Sequence, residues 1–164
     1  MDVRDSGECK NADSKGCLMY HVQTQIFDRA VTILTGLDTT GTTVFRSRLH
    51  PLTPETMPGL CISLGSEGNI GGTTDGTSKA VKLNLGVVVE GDDTMVTGRA
   101  FAEIEAALYT DNAGGRFFNR LAYNLVYVGS DRQHVTSTAV RHTRLDIVYR
   151  VEYQTEDGDA ETAC

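Results

Sequence analysis

The chain has 164 residues, of which 40% are hydrophobic and 23% are charged, and its formal net charge is −7. This length and balance predict one globular domain whose core is large enough to fold without disulfides or metals. The acidic charge argues against a general nucleic-acid binder, which needs a basic face. No apolar run approaches the ~20 residues of a membrane helix, and the polar N-terminus is not a secretory signal.

The two ends of the chain differ in composition from its middle. Residues 1–19 are polar and mixed in charge, and residues 156–164 form an acidic tail, so both segments are predicted to be disordered or flexible. The folded domain is predicted to span residues 20–155. None of the cysteines has the spacing of a zinc site, and all are interpreted as free thiols. The four cysteines are Cys9, Cys17, Cys61 and Cys164.

The first half of the chain predicts one helix and two short strands. Residues 21–36 place apolar side chains at helical spacing, and Gly36 suits a left-handed cap at the end of this helix. A strand is predicted at Thr43–Arg48. The three prolines of Leu49–Pro58 predict an extended connection that is not helical. A second strand is predicted at Gly59–Leu64, with alternate residues on one face.

The middle of the chain begins with a glycine-rich stretch, Gly65–Ser78, which is predicted to be a long loop. Strict alternation of apolar and polar residues then predicts a half-buried strand from about Val81 to Glu90. A second amphipathic helix is predicted to run to about Tyr109. Its N-terminal cap is expected to be one of three neighbouring residues, Asp92, Asp93 or Thr94.

The last third predicts two further strands. The stretch LAYNLVYV is predicted to be a strand with Tyr123, Leu125 and Tyr127 on one face, and GSDRQH is predicted to interrupt it. The stretch TRLDIVYRVEYQ alternates apolar with charged residues and predicts a closing strand. The order of helix, strands, helix and strands predicts an α+β fold, in which an antiparallel sheet has two helices packed on one face.

The sequence contains no motif that indicates catalysis. The glycines of Gly65–Ser78 precede a strand rather than a helix, which excludes a phosphate-binding P-loop. The four histidines lack metal-ligand spacing, and the carboxylates Asp92 and Asp93 suit a helix N-terminus better than an acid–base pair. The chain is therefore predicted not to be an enzyme and to bind no metal or cofactor.

Contact with other proteins is the function that remains. Long loops inside compact domains are usually functional or disordered, so the glycine-rich stretch is predicted to contact a partner. Its candidate contact residues are Glu67, Asn69, Ile70, Thr73, Thr74 and Asp75. The charged face of the closing strand and the connection before it are predicted to contact neighbouring subunits. The candidate residues for these contacts are Arg132, Arg141, Arg144, Arg150 and Glu152.

The order of elements, with the phrases MPGLCISL, IEAAL and DIVYRVEYQ, resembles the tail terminator proteins of long-tailed bacteriophages, the minor tail protein U type. The resemblance covers about Tyr20–Thr155. It implies a ring of six subunits on the tail tube, which stops tube polymerisation and gives the head-side connector or neck protein a docking surface. The implied partners are other copies of the chain, the tail tube protein and the head-side protein.

The same resemblance implies a place in the virion, at the head-proximal end of the tail, and assembly in the host cytoplasm. DNA would pass through the lumen of the ring without specific binding, and the net charge of −7 would repel its phosphates. No membrane contact is expected.

Three other functions stay open at this point. A head-side neck or connector-completion protein is also a ring of small subunits, and fold alone does not separate it from a terminator. A small ligand-binding domain or enzyme would show a deep pocket with convergent ionisable groups. A general protein-binding adaptor would differ by not assembling into a closed ring.

Overall fold

In a computed structural model of the chain, the structure describes residues 21–47, 53–73, 76–112, 114–136 and 141–156. The predicted N-terminal extension and residues 157–164 of the predicted acidic tail lie outside this part.

Two helices and five strands make up the described fold. In chain order they are α1 (Val22–Leu34), β1 (Val44–Arg46), a 3₁₀ helix (Pro54–Thr56), β2 (Gly59–Thr73), β3 (Gly76–Glu90), α2 (Thr94–Thr110), β4 (Asn124–Thr136) and β5 (Arg141–Thr155). The fold is α+β, as predicted.

The strands form one sheet in the order β1-β2-β3-β5-β4. All neighbouring pairs are antiparallel except β1 and β2, which are parallel. The prediction of a wholly antiparallel sheet is therefore wrong at one edge. Residues 47–58 separate β1 from β2, and this gives the chain about the dozen residues that a parallel crossover needs.

Part of the proline-rich connection is helical, which corrects a second prediction. Thr53 occupies the N-cap position of the 3₁₀ helix Pro54–Thr56, and the Thr56 hydroxyl accepts a hydrogen bond from the Thr53 N–H at 3.0 Å. Pro54 occupies the first helical position, where its missing N–H costs nothing and its fixed φ favours the turn.

One hydrophobic core lies between the sheet and the two helices. The alternating residues of β3 and β5 point into it, as the sequence predicted, and both helices cover this face. Its strand members include Leu60, Ile62, Val81, Leu83, Leu85, Val87, Val89, Leu145, Ile147, Tyr149, Val151 and Tyr153. Its helical members include Val22, Ile26, Ala30, Leu34, Ala100, Ile104 and Leu108. We call this the helix side of the sheet, and the opposite face the helix-free side.

The ends of the helices follow their local chemistry. Helix α1 stops at Leu34, and Gly36 has φ +92°, the left-handed backbone that glycine adopts without a steric penalty. At the start of α2, the Asp93 carboxylate accepts hydrogen bonds from the N–H groups of Met95 and Val96, each at 3.0 Å. Of the three predicted caps, Asp93 is therefore the one used.

The Asp93 cap makes a measurable contribution to stability. Replacement by alanine leaves two N–H groups of the first turn without this acceptor, so we expect Asp93→Ala to lower the free energy of unfolding by about 1 kcal/mol. Asp93→Asn keeps an oxygen acceptor and is the matched control, with a smaller loss. Urea denaturation of the three proteins checks this; equal losses for both variants would contradict the capping role.

Candidate interaction surfaces

The glycine-rich stretch is not a loop, which corrects the sequence prediction. Residues Gly65–Thr73 continue strand β2, and they pair with Gly76–Val81 of β3 as far as Thr73 opposite Gly76. We call these two paired segments the hairpin arm. Thr74 and Asp75, two of the predicted contact residues, lie outside the described residues, and so does the side chain of Thr73.

The two strands of the arm are held together mainly by backbone pairing, because their side chains do not alternate between apolar and polar. The register of β2 and β3 shifts twice, between Leu64 and Glu67 and between Asn69 and Gly71. Each shift accommodates extra residues in β2 while the ladder continues on both sides. Glycine, serine and threonine offer no apolar alternation, which is the signal by which a strand is usually predicted.

The remaining predicted contact residues of the arm are placed on its surface. Glu67, Asn69 and Ile70 are all exposed. The Glu67 carboxylate lies 3.5 Å from the ammonium group of Lys79 on the neighbouring strand, so the one charged side chain among them has a partner within the arm. Unlike the polar Glu67 and Asn69, Ile70 has a large apolar side chain, which is 49% exposed.

The arm rests on the end of strand β5. Thr77 pairs with Thr155, and the backbone carbonyl of Thr155 lies so close to Gly76 that a Cβ there would be 2.6 Å from its oxygen. A side chain at residue 76 therefore forces the two strands apart. At Gly71, by contrast, an added Cβ would have no neighbouring atom within 4 Å.

The two glycines make a matched pair of substitutions. We expect Gly76→Ala to destabilise the chain by about 1–3 kcal/mol, the usual cost of overpacking. Gly71→Ala should change stability by less than about 1 kcal/mol, because the added methyl group meets open space. Denaturation gives both free energies, and hydrogen exchange of the arm amides locates the loss. Equal exchange rates in the two variants would contradict the close approach at Gly76.

The five predicted inter-subunit residues do not form one patch. Arg144 donates to Asp146 at 2.7 Å, and Arg150 lies 2.8 Å from Glu152. Glu152 is 8% exposed and also accepts a hydrogen bond from the Asn124 side chain at 2.9 Å. These charges are therefore largely neutralised within the chain, on the helix-free side.

Arg132 and Arg141 differ from the other three predicted residues. Both are exposed, and neither has an ion pair with another residue of the described part of the chain. Arg132 pairs in register with the buried Leu145, so its side chain projects on the helix side, on the face opposite Arg144 and Arg150.

Strand β4 is an open edge that the sequence did not predict. GSDRQH was predicted to interrupt it, but these residues continue the strand, which pairs with β5 from Asn124 to Thr136. One register shift between Tyr127 and Gly129 accommodates Val128. Nothing in the described sheet pairs with the far side of β4, because it is the last strand in the order.

Exposed apolar side chains lie just before β4 and at its beginning. Tyr123, Tyr127 and Val128 are 37%, 42% and 56% exposed. Tyr127 also packs against the core, with its ring centroid 5.7 Å from those of Phe101 and Tyr149. The alternation of aromatic and aliphatic residues in LAYNLVYV was visible in the sequence, but the openness of this edge depends on the strand order.

Within the described ranges, no group of three His, Cys, Asp or Glu side chains is placed to hold a metal ion. A cavity of about 320 Å³ on the helix-free side is lined by residues that include Lys82, Asn84, Val128, Asp131 and Asp146. The Asp146 carboxylate there is already bound by Arg144. Among the described helices, none is long and apolar enough to cross a membrane.

Two buried tyrosines make the stability of the core sensitive to alkaline pH. Burial is the main reason why the pKa values of Tyr149 and Tyr153 are raised well above their ordinary value, with smaller effects from the nearby carboxylates of Glu105 and Glu67 respectively. Because the folded chain holds both hydroxyls neutral, their contribution is fully present below pH 10 and is lost as the pH rises above it.

We therefore expect the free energy of unfolding to fall with increasing pH above 10. Tyr149→Phe and Tyr153→Phe should each reduce this slope, since phenylalanine has no proton to lose. Denaturation curves over a series of alkaline pH values test this, and identical slopes in all variants would contradict it.

Comparison with known proteins gives a match to solved structures and none to family models or curated sequences. No protein-family model and no curated protein sequence matches the chain. Its fold is similar to that of a chain in the solved structure "Virion of native gene transfer agent (GTA) particle", with a TM-score of 0.52 and 21% sequence identity. The match covers 85% of this chain and 96% of that one. At this identity the similarity establishes a shared fold.

Proposed function

We propose that the chain is a structural protein of a phage or phage-like virion, and that within the virion it is a tail terminator. The observation that supports this most is the fold similarity to a chain of a gene transfer agent virion, of which 96% is covered. A match over nearly the whole of that chain indicates that the entire domain is shared rather than a common local motif.

The terminator role is the finer part of the proposal and comes from the sequence resemblance. In this role the chain assembles into a ring, caps the tail tube, ends its polymerisation and presents a surface to the head-side protein. The chain would contribute contacts and no catalysis. Both long hairpins of the sheet suit such a role, because they extend exposed backbone and side chains away from the core.

The two hairpins also end at opposite ends of the sheet. Thr73 and Gly76 meet at the end of the arm, next to Thr155, whereas Thr136 and Arg141 meet at the other end, next to Glu90. A subunit with this geometry can contact one partner below and another above at the same time, which is what a protein between a tube and a connector must do.

Electron microscopy of particles made without the protein tests this proposal. The gene is disrupted in the phage or phage-like element that encodes the chain, and the lysate is imaged. We expect tubes of abnormal length that are separate from filled heads. Tails of normal length beside leaking heads would assign the chain to the head side of the neck instead. Intact, joined particles would overturn both structural roles.

A further inference from the structure

We propose that the hairpin arm of one copy pairs with strand β4 of the next copy, so that the sheets of neighbouring subunits join edge to edge. This inference rests on the proposed function insofar as it takes self-assembly into a ring as given, and it assigns the contact that makes the ring. The occupant of each open edge is thus a second copy of this chain.

The first observation is that both edges of the sheet are open. Strand β1 covers β2 only at Leu60–Ile62. From Ser63 to Thr73, the outer side of β2 has no strand beside it in the described part of the chain, and the whole of β4 has none on its outer side. Unpaired backbone N–H and C=O groups of such edges are ready to pair with another strand.

The second observation is that the two open segments lie at the same level across the sheet. The register connects Glu67 with Val81, Val81 with Val151, and Val151 with Leu125. The arm therefore leaves the core at the level where β4 begins. A neighbouring copy in the same orientation and at the same level brings Ser63–Gly68 of its β2, which includes the root of its arm, opposite Asn124–Gly129. The rest of its arm extends past the start of β4.

The direction of the strands also fits this contact. Strands β2, β3, β5 and β4 alternate in direction, since each neighbouring pair is antiparallel. Placing the next copy's β2 beside β4 continues the alternation and gives an antiparallel pair. Since two different edges meet, the contact is heterologous, and repetition of such a contact closes into a ring when the rotation allows it.

Side-chain chemistry allows the two segments to meet. Charged residues, lysine above all, and proline usually protect exposed sheet edges from pairing. Asn124–Gly129 contains neither a charged residue nor a proline, and the described arm segment of β2 contains one charged residue, Glu67. Exposed apolar side chains lie on both sides, with Ile70 on the arm, Tyr123 just before β4 at about the level of Ile70, and Tyr127 and Val128 on β4. Burying them together removes apolar surface from water, which favours the contact.

Cysteine cross-linking of the full-length chain tests this pairing. In a background with the four native cysteines replaced by serine, Gly68→Cys and Val126→Cys are introduced singly and together. Both positions lie on the helix-free side, and a Cβ at Gly68 meets no atom within 4 Å. Across the proposed contact they are diagonal neighbours, within reach of a short bifunctional thiol reagent.

The expected pattern identifies a heterologous contact. The double variant should give a ladder of cross-linked species that ends at the size of the ring. An equal mixture of the two single variants should give dimers and nothing larger, and each single variant alone should give none. The matched control combines Gly68→Cys with Gln133→Cys, which is on the same face of β4 but roughly 20 Å further along it. The control should not cross-link.

Light scattering of the same samples separates the two levels of the proposal. Rings without cross-links between residues 68 and 126, or with equal cross-linking in the control, would overturn the edge pairing and leave the proposed function standing. Cross-links within a single variant would also overturn it, because they indicate contact between identical edges. A chain that stays monomeric up to its solubility limit would overturn both the pairing and the self-assembled ring.

Discussion

The antiparallel ladder between β3 and β5 is the interaction on which the rest of the structure depends. It runs from Thr77 opposite Thr155 to Glu90 opposite His142 without a register shift. Because side chains alternate along a strand, an unbroken register places the apolar residues of both strands on one face. A slip by one residue would turn the charges of β5 into the core. Both helices, and the single hydrophobic core, require this register.

The outer strands use this ladder in different ways. Strand β2 pairs with β3 and β4 pairs with β5, and each contains register shifts that the central ladder lacks. Irregularities are tolerated there because β4, and β2 beyond its pairing with β1, each have one side without a neighbouring strand in the described sheet, so an extra residue can bulge without breaking a second ladder. The regular centre provides stability, and the irregular edges provide the exposed surfaces that the proposed assembly needs.

The sequence predicted the elements that are defined by a pattern of side chains, and it missed those that are held mainly by backbone hydrogen bonds. The alternation in β3 and β5 identified the core, and an aspartate before an amphipathic segment identified the start of α2. The arm was not predicted as a strand because its glycines give no apolar alternation, and its pairing rests on backbone hydrogen bonds. The parallel position of β1 was missed because three residues carry no signal of strand direction.

The candidate surfaces were predicted less well, for two different reasons. Arg144 and Asp146 are two residues apart on one strand, so their pairing was accessible from the sequence once the strand was assigned. The open edge of β4 was not accessible, because strand order arises from long-range contacts. Exposed aromatic residues such as Tyr127 resemble core residues until the sheet is assembled.

The difference in length between strands and helices has a mechanical consequence. Strand β3 has 15 residues and extends about 50 Å at roughly 3.3 Å per residue, whereas α2 has 17 residues and extends about 25 Å at 1.5 Å per residue. The sheet is thus about twice as long as the helical layer that stiffens it. Its uncovered ends are ribbons supported by backbone pairing, which can twist to follow a curved neighbour while the helix-backed centre keeps its shape.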